Sequence, residues 1–151
     1  MRSMYTMFYA PPFGCELPMS KPRVLIVEDN PIEQKVIAML ADRVGIEARV
    51  VGTAFKALDE LSVEHDYAAV LMNWMMPGMD GLECTYRIRE IETGRGLHTP
   101  IIAVTAKALY GERETCLQAG MDDYLPKPYS LSDFEATMRR WVLEKRAAVV
   151  S

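Results

Sequence analysis

The chain has 151 residues, of which 50% are hydrophobic and 25% charged, a balance that fits one globular domain with a substantial core. A net charge of −4 and the lack of a basic stripe argue against nucleic acid as a direct partner. No apolar run approaches the ~20 residues of a membrane span. Three scattered cysteines and two histidines do not form a zinc-binding pattern and indicate reduced thiols.

The domain is predicted to follow an N-terminal leader. Residues 1–20 are rich in Met, Tyr, Phe and Pro, which indicates a flexible leader, a linker or a vector-derived tail. Residues 21–145 are predicted to form the domain, and residues 146–151 a C-terminal tail. Apolar and β-branched runs predict five strands. They cover residues 24–27, 48–51, 68–72, 101–105 and 123–125.

Five helices are predicted between and after these strands. The first follows an Asn30 cap and a Pro31 start and stops at Gly45; the second is capped by Thr53. The third covers 81–92, the fourth 112–119, and the last begins at Ser130 or Ser132. The first and last helices are expected to have these apolar faces: Ile32, Val36, Ile37, Leu40 and Val44; Leu131, Phe134, Met138, Trp141 and Val142. The third is expected to turn Leu82, Thr85 or Tyr86, Ile88 and Ile91 inward.

The strict alternation of strands and helices predicts an α/β fold with a doubly wound, five-stranded parallel sheet and helices on both faces. In such a sheet, ligands bind beyond the carboxyl ends of the strands. The unusual polar residues follow that rule. They are Glu28 and Asp29 after the first strand, Asn73 after the third, Thr105 at the end of the fourth and Lys127 after the fifth.

The residue types at these strand ends suit metal-assisted phosphate chemistry. Adjacent carboxylates at Glu28 and Asp29 suit Mg²⁺, which takes oxygen ligands; taken alone, the pair also fits a charge at a helix N-terminus. Thr105 can donate a hydroxyl hydrogen bond to a phosphoryl oxygen, and Lys127 can neutralise its charge. Lys127 stands between two prolines, and a cis Lys127–Pro128 bond is predicted.

Four segments in order resemble the receiver domain of two-component response regulators and hybrid histidine kinases. They are residues 24–30, 73–81, 100–106 and 119–128, and the resemblance covers residues 21 to 142. It implies a flavodoxin-like sheet with strand order 2-1-3-4-5. It also implies a cytoplasmic module, without enzymatic turnover of its own, that accepts a phosphoryl group from a phosphohistidine.

The resemblance assigns metal ligands and switch residues. Glu28 and Asp29 match the acidic pair that holds Mg²⁺, and the carbonyl of Met75 matches the backbone ligand. Tyr124 matches the aromatic switch residue, although an ordinary strand aromatic also fits that position.

The remaining matched positions would contact the phosphoryl group. Thr105 matches the switch hydroxyl, Ala106 the small residue whose N–H contacts the phosphoryl group, and Lys127 the lysine of the family.

Asn73 departs from the family pattern, since it stands at the position of the phosphate-accepting aspartate and would be a metal ligand there. An amide carries no negative charge with which to attack phosphorus. Two charges ~4 Å apart interact by ~4 kcal/mol at an effective dielectric near 20, so Mg²⁺ is expected to bind more weakly. The substitution is either natural or engineered.

Two functions follow. The first is a phosphorelay receiver disabled at Asn73, with a histidine kinase or a histidine phosphotransfer domain as its partner. The second is a phosphorylation-independent pseudo-receiver, an adaptor that binds a partner around Tyr124 and the last two helices. A homodimer would use the fourth and fifth helices. A flavin or nucleotide binder is disfavoured, because residues 28–31 are acidic where a phosphate-binding loop would lie.

Overall fold

A computed structural model describes residues 20–63, 65–106 and 111–144, in which five strands alternate with five helices. The strands are β1 (Arg23–Val27), β2 (Glu47–Val51), β3 (Tyr67–Asn73), β4 (Ile101–Thr105) and β5 (Asp123–Pro126). The helices are α1 (Pro31–Arg43), α2 (Ala54–Ser62), α3 (Gly81–Thr93), α4 (Glu112–Gln118) and α5 (Leu131–Met138), which continues into a π-helical turn, Arg139–Leu143. In this described part of the chain, no helix combines the length and apolarity that crossing a membrane requires.

All five strands are parallel, and their order in the sheet is β2-β1-β3-β4-β5. The predicted fold class is therefore confirmed, including the order that the family resemblance implied. The order in which the chain adds strands reverses between β1 and β3, which are neighbours in the sheet. The acidic pair follows β1, and Asn73 ends β3. The predictions for the leader and for residues 146–151 lie outside the described residues, apart from Ser20.

Alternate residues of each strand face two separate apolar layers. In β1, Leu25 and Val27 pack into one layer, and Val24 and Ile26 into the other. The first layer is closed by apolar residues of α2, α3 and α4, and the second by α1, α5 and the π-helical turn. Burial on both faces explains why β1, β3 and β4 are continuous apolar runs.

The predicted apolar face of α1 is wrong in part. Ile37 and Ala41 are buried against the sheet, whereas Ile32 is 72% exposed and Val36 is 44% exposed. The helix carries two apolar stripes, and the spacing of residues cannot tell which one faces the sheet. Met39 extends the outer stripe and is also exposed.

Smaller corrections concern α3 and α5. Thr85 faces inward, where its hydroxyl donates to the Gly81 carbonyl oxygen, and Tyr86 is exposed. Ser130 rather than Ser132 caps α5 and forms a reciprocal capping box with Asp133. Leu131 is more exposed than expected, because the first helical position lies at the rim of the core.

Arg89 fastens α3 to the loops that lead into β4 and β5. Its guanidinium donates to the carbonyl oxygens of Thr99 and Gly120 and pairs with the carboxylates of Glu92 and Asp122. The guanidinium group is planar and carries several N–H donors in a fixed geometry, so this one side chain can bind several acceptors at once and act as a hub. Asp122 also accepts from the backbone N–H of Ile101, so the hub sets where β4 begins.

Gly81 fixes the loop between β3 and α3. Its N–H donates to the Trp74 carbonyl oxygen at 2.8 Å. A Cβ atom on Gly81 would lie 2.5 Å from the carbonyl oxygen of Asn73 and 3.0 Å from Cα of Trp74. The backbone at residue 73 therefore takes its position only because residue 81 lacks a side chain.

We expect Gly81→Ala to lower the free energy of unfolding by about 1–3 kcal/mol, as overpacking against a rigid backbone does. The matched control is Gly94→Ala, because Gly94 caps the end of α3 with right-handed helical dihedral angles and its Cβ would meet only the Ile91 carbonyl oxygen, at 3.9 Å. The control should change stability by ~0.5 kcal/mol or less. Urea unfolding compares the two; equal losses would show that the contact with residue 73 is not tight.

Candidate functional site

A single cleft at the carboxyl edge of the sheet collects most of the residues singled out from the sequence. It has a volume of about 430 Å³. Its lining comprises Glu28, Asp29, Asn30, Glu33, Asn73, Met75, Thr105, Ala106 and Lys127. The strands are parallel, so their carboxyl ends and the residues that follow them meet at one edge.

Glu28 is the buried member of the acidic pair, with 5% of its surface exposed. Its Oε2 accepts from the backbone N–H of Asn30 at 3.0 Å, and its carbonyl oxygen accepts from Nε2 of Gln34 at 2.6 Å. Asn30 in turn caps α1, since its Oδ1 accepts from the backbone N–H groups of Ile32 and Glu33. The turn between β1 and α1 therefore holds Glu28 inward and leaves Asp29 exposed.

The side chain of Asn73 points into the centre of the acidic cluster. Its Nδ2 lies 3.3 Å from Oε2 of Glu28, 3.2 Å from Oδ1 of Asp29 and 3.2 Å from the carbonyl oxygen of Met75. Two N–H bonds are thus shared among three acceptors, which accounts for distances at the long end of the normal range. The Met75 side chain is itself exposed, so only its backbone belongs to the site.

Lys127 enters the cleft from the opposite side. Its Nζ lies 3.2 Å from Oε1 of Glu28 and 3.4 Å from Oε1 of Glu33. Its backbone N–H donates to the carbonyl oxygen of Thr105 at 2.8 Å, which ties the end of β5 to the end of β4. The predicted cis bond between Lys127 and Pro128 is confirmed.

Thr105 and Ala106 form the floor and rim of the cleft, and Tyr124 lies outside it. Thr105 is almost fully buried, whereas Ala106 is exposed. Tyr124 is half-buried and packs against the apolar layer beneath α2, α3 and α4. Burial raises the pKa of the Tyr124 hydroxyl above its ordinary value, with smaller contributions from Cys116 and Glu112, so this side chain is neutral at physiological pH.

Three oxygen atoms converge where a hard cation would bind. They belong to Glu28, Asp29 and the Met75 carbonyl, and this donor set fits Mg²⁺ in chemistry. The point on which they converge is, however, occupied by the amide nitrogen of Asn73. Among the described residues, no cluster of three or more His, Cys, Asp or Glu side chains could hold a metal ion.

Two neighbours of the site were not predicted. Glu33 supplies a second carboxylate to Lys127, and Gln34 holds the Glu28 backbone. Both lie in the first turn of α1, directly after the acidic pair, and that proximity is the one signal the sequence offers. The contact with Lys127 arises only from the tertiary fold.

The sequence also matches a known protein family. Residues 24–139 match the family described as the response regulator receiver domain. The match covers more than half of the chain, and the chain belongs to this family, whose members serve two-component and phosphorelay systems.

Curated relatives are much longer than this chain. It is 40% identical over 121 residues to the sensor histidine kinase GacS of Pseudomonas protegens, covering 80% of the chain but 13% of that kinase. It is 42% identical over 110 residues to hybrid signal transduction histidine kinase I of Dictyostelium discoideum, covering 70% of the chain and 6% of the relative. The chain thus spans a small fraction of the relatives that it matches.

Solved structures share the whole domain. The receiver domain of the sensor histidine kinase PA1611 from Pseudomonas aeruginosa, solved with magnesium in its active-site cleft, is 40% identical with a TM-score of 0.72. The match covers 80% of this chain and 97% of that one. The receiver domain of Ssk1 from Saccharomyces cerevisiae, solved with the histidine phosphotransfer protein Ypd1, gives 25% identity, a TM-score of 0.74, and 85% and 94% coverage.

We expect Lys127→Met to lower the free energy of unfolding by roughly 2–3 kcal/mol, because it leaves the buried Glu28 without its cation. The loss should be smaller than the ~3–5 kcal/mol of a fully buried pair, since donors from Asn30 and Asn73 remain. Glu33→Gln is the control, because it removes only a partly exposed partner of Lys127 and should cost ~1 kcal/mol or less. If urea unfolding shows equal losses, Lys127 does not stabilise Glu28.

Proposed function

We propose that this chain is a phosphorelay receiver whose phosphoacceptor position is held by Asn73, so that it cannot be phosphorylated there. The observation that carries the proposal is the placement of the Asn73 side chain among Glu28, Asp29 and the Met75 carbonyl, with Lys127 paired to Glu28 in the same cleft. In this proposal the domain spans residues 21–145.

The other site residues take the roles expected of a receiver. Glu28, Asp29 and the Met75 carbonyl would hold Mg²⁺, which screens the charge of a phosphoryl group. Lys127 would neutralise phosphoryl oxygens, and the Thr105 hydroxyl and the Ala106 N–H would donate to them. Tyr124, which packs near α4, would be the aromatic that reports the state of the cleft to that surface.

A carboxylate at residue 73 would complete the chemistry. One of its oxygens would attack phosphorus, the N–P bond of the phosphohistidine would break, and the imidazole would leave with the bonding electrons. The product would be an acyl phosphate on residue 73. The amide of Asn73 is nearly the same shape, but it lacks the charge and the available lone pair for the attack.

The partner would be a histidine phosphotransfer domain or a histidine kinase, and it would approach over α1. The outer stripe of this helix, Ile32, Val36 and Met39, is exposed. An apolar groove runs between α1 and the start of α5, and Glu33, Ala106 and Lys127 line both the groove and the cleft. A partner seated on this stripe would therefore bring its histidine next to residue 73.

The proposal also includes the cellular setting. The protein would act in the cytoplasm as a signalling module and not as an enzyme. It would be either a regulator of one domain or a part of a hybrid kinase, and the name of the Dictyostelium relative supports the second of these. A homodimer would use α4 and α5.

Acetyl phosphate with Mg²⁺ tests the disabled acceptor. The chain should gain no phosphoryl group at residue 73 in an intact mass measurement, because the amide is not a nucleophile. Asn73→Asp should gain one, and Asn73→Ala is the matched control that should gain none. Peptide mapping must confirm that residue 73 is still an amide before the reaction.

An adduct at residue 73 of the unaltered chain would overturn the proposal. If Asn73→Asp also stays unmodified, the site is incompetent for other reasons. The protein would then be a pseudo-receiver that acts as an adaptor without phosphorylation.

Transfer from phosphorylated Ypd1 to the Asn73→Asp variant tests the α1 surface. Adding Ile32→Asp should slow transfer at least roughly tenfold, because it places a charge in the apolar contact. Adding Tyr86→Asp instead is the control, since Tyr86 is also a large, exposed side chain but lies on α3, across the sheet from α1. Equal rates of transfer to the two double variants would contradict docking over α1.

A further inference from the structure

The amide nitrogen of Asn73 sits at the centre of the oxygen cluster. It lies at nearly the same distance, 3.2–3.3 Å, from each of three oxygen atoms that belong to Glu28, Asp29 and Met75. This is the arrangement of a small cation among its ligands, with distances lengthened to those of hydrogen bonds.

While no cation is bound, the opposite orientation of the amide is electrostatically unfavourable. If the side chain turned over, its Oδ1 would face two carboxylates and a carbonyl oxygen with no hydrogen among them. With the NH₂ group inward, each acceptor meets a partial positive charge, and hydrogen bonds to ionised acceptors are stronger than neutral ones.

Both oxygen atoms of the buried Glu28 carboxylate have hydrogen-bond or ionic partners in this arrangement. Glu28 Oε2 accepts from Asn30 N–H and from Asn73 Nδ2, and Oε1 pairs with Lys127. Lys127 is also held by Glu33, which supplies the second negative partner that an aspartate at residue 73 would otherwise offer. The cluster is therefore complete without an ion.

We propose that the Asn73 amide is a built-in substitute for the divalent cation. It holds the acidic pair together in the absence of metal, and Mg²⁺ can bind only after the amide turns out of the cluster. The inference rests on the proposed function only in taking Glu28, Asp29 and Met75 as the metal ligands. It deepens that function, because it makes the fold and the cleft independent of Mg²⁺ as well as of phosphate.

The test compares unfolding midpoints in EDTA and in excess Mg²⁺ for the unaltered chain, Asn73→Asp and Asn73→Ala. In EDTA the unaltered chain should be the most stable, because Asp adds a third carboxylate and Ala removes the donor. Excess Mg²⁺ should raise the midpoint of Asn73→Asp through preferential binding to the folded state and leave the unaltered chain nearly unchanged.

Titration of Mg²⁺ alone gives the second readout. Asn73→Asp should bind roughly tenfold tighter or more than the unaltered chain, because a carboxylate replaces a group that must first be displaced. The side-chain NH₂ resonances of Asn73 should stay in place at Mg²⁺ concentrations that saturate Asn73→Asp. Gln118→Glu makes the same amide-to-carboxylate change on an exposed residue of α4 and should not alter the response to Mg²⁺.

Two outcomes would overturn the inference. One is an unaltered chain that gains as much stability from Mg²⁺ as Asn73→Asp does. The other is Asn73→Ala matching or exceeding the unaltered chain in EDTA. Neither depends on phosphoryl transfer, so failure here is distinct from failure of the acetyl phosphate experiment.

Discussion

The buried carboxylate of Glu28 is the constraint around which the cleft is built. An ionised group removed from water must be surrounded by donors or by a countercharge, because leaving it unpaired costs several kcal/mol. In this chain the donors come from three separate parts of the fold: Asn30 in the following turn, Asn73 at the end of β3, and Lys127 after β5. The carboxylate thus joins the ends of three strands that are distant in sequence.

Features outside the cleft hold this cluster in place. The parallel sheet brings the strand ends together, and Gly81 lets the loop after β3 fold back against the carbonyl group of Asn73. The Arg89 hub fixes the entry to β4 and β5 from the other side of the domain. A change at Gly81 or at Arg89 would displace Asn73 or Lys127 relative to Glu28. Small displacements matter there, because the contacts are hydrogen bonds.

Much of the fold and of the site could be predicted from the sequence, because both depend on the spacing of apolar residues and on which residues directly follow the strands. Apolar runs identify the strands, and the polar residues directly after them must lie at one edge of a parallel sheet. The strand order came from the family resemblance. What could not be predicted depends on tertiary contacts: which stripe of α1 faces outward, the pairing of Glu33 with Lys127, and the orientation of the Asn73 amide. Sequence spacing shows that Ile32 and Ile37 share a helix, but only packing decides which is exposed.

Asparagine and aspartate have nearly the same shape but differ in the chemistry that they offer to a site. Asn73 keeps the shape that an aspartate would have, which is consistent with the close agreement in fold with receiver domains such as that of PA1611. Its NH₂ group nevertheless turns three potential metal ligands into hydrogen-bond acceptors. A backbone similar to that of other receiver domains therefore does not by itself imply metal binding or phosphorylation. Both depend on which atom occupies the centre of one cluster of oxygen atoms. In this chain the amide nitrogen of Asn73 lies at that centre.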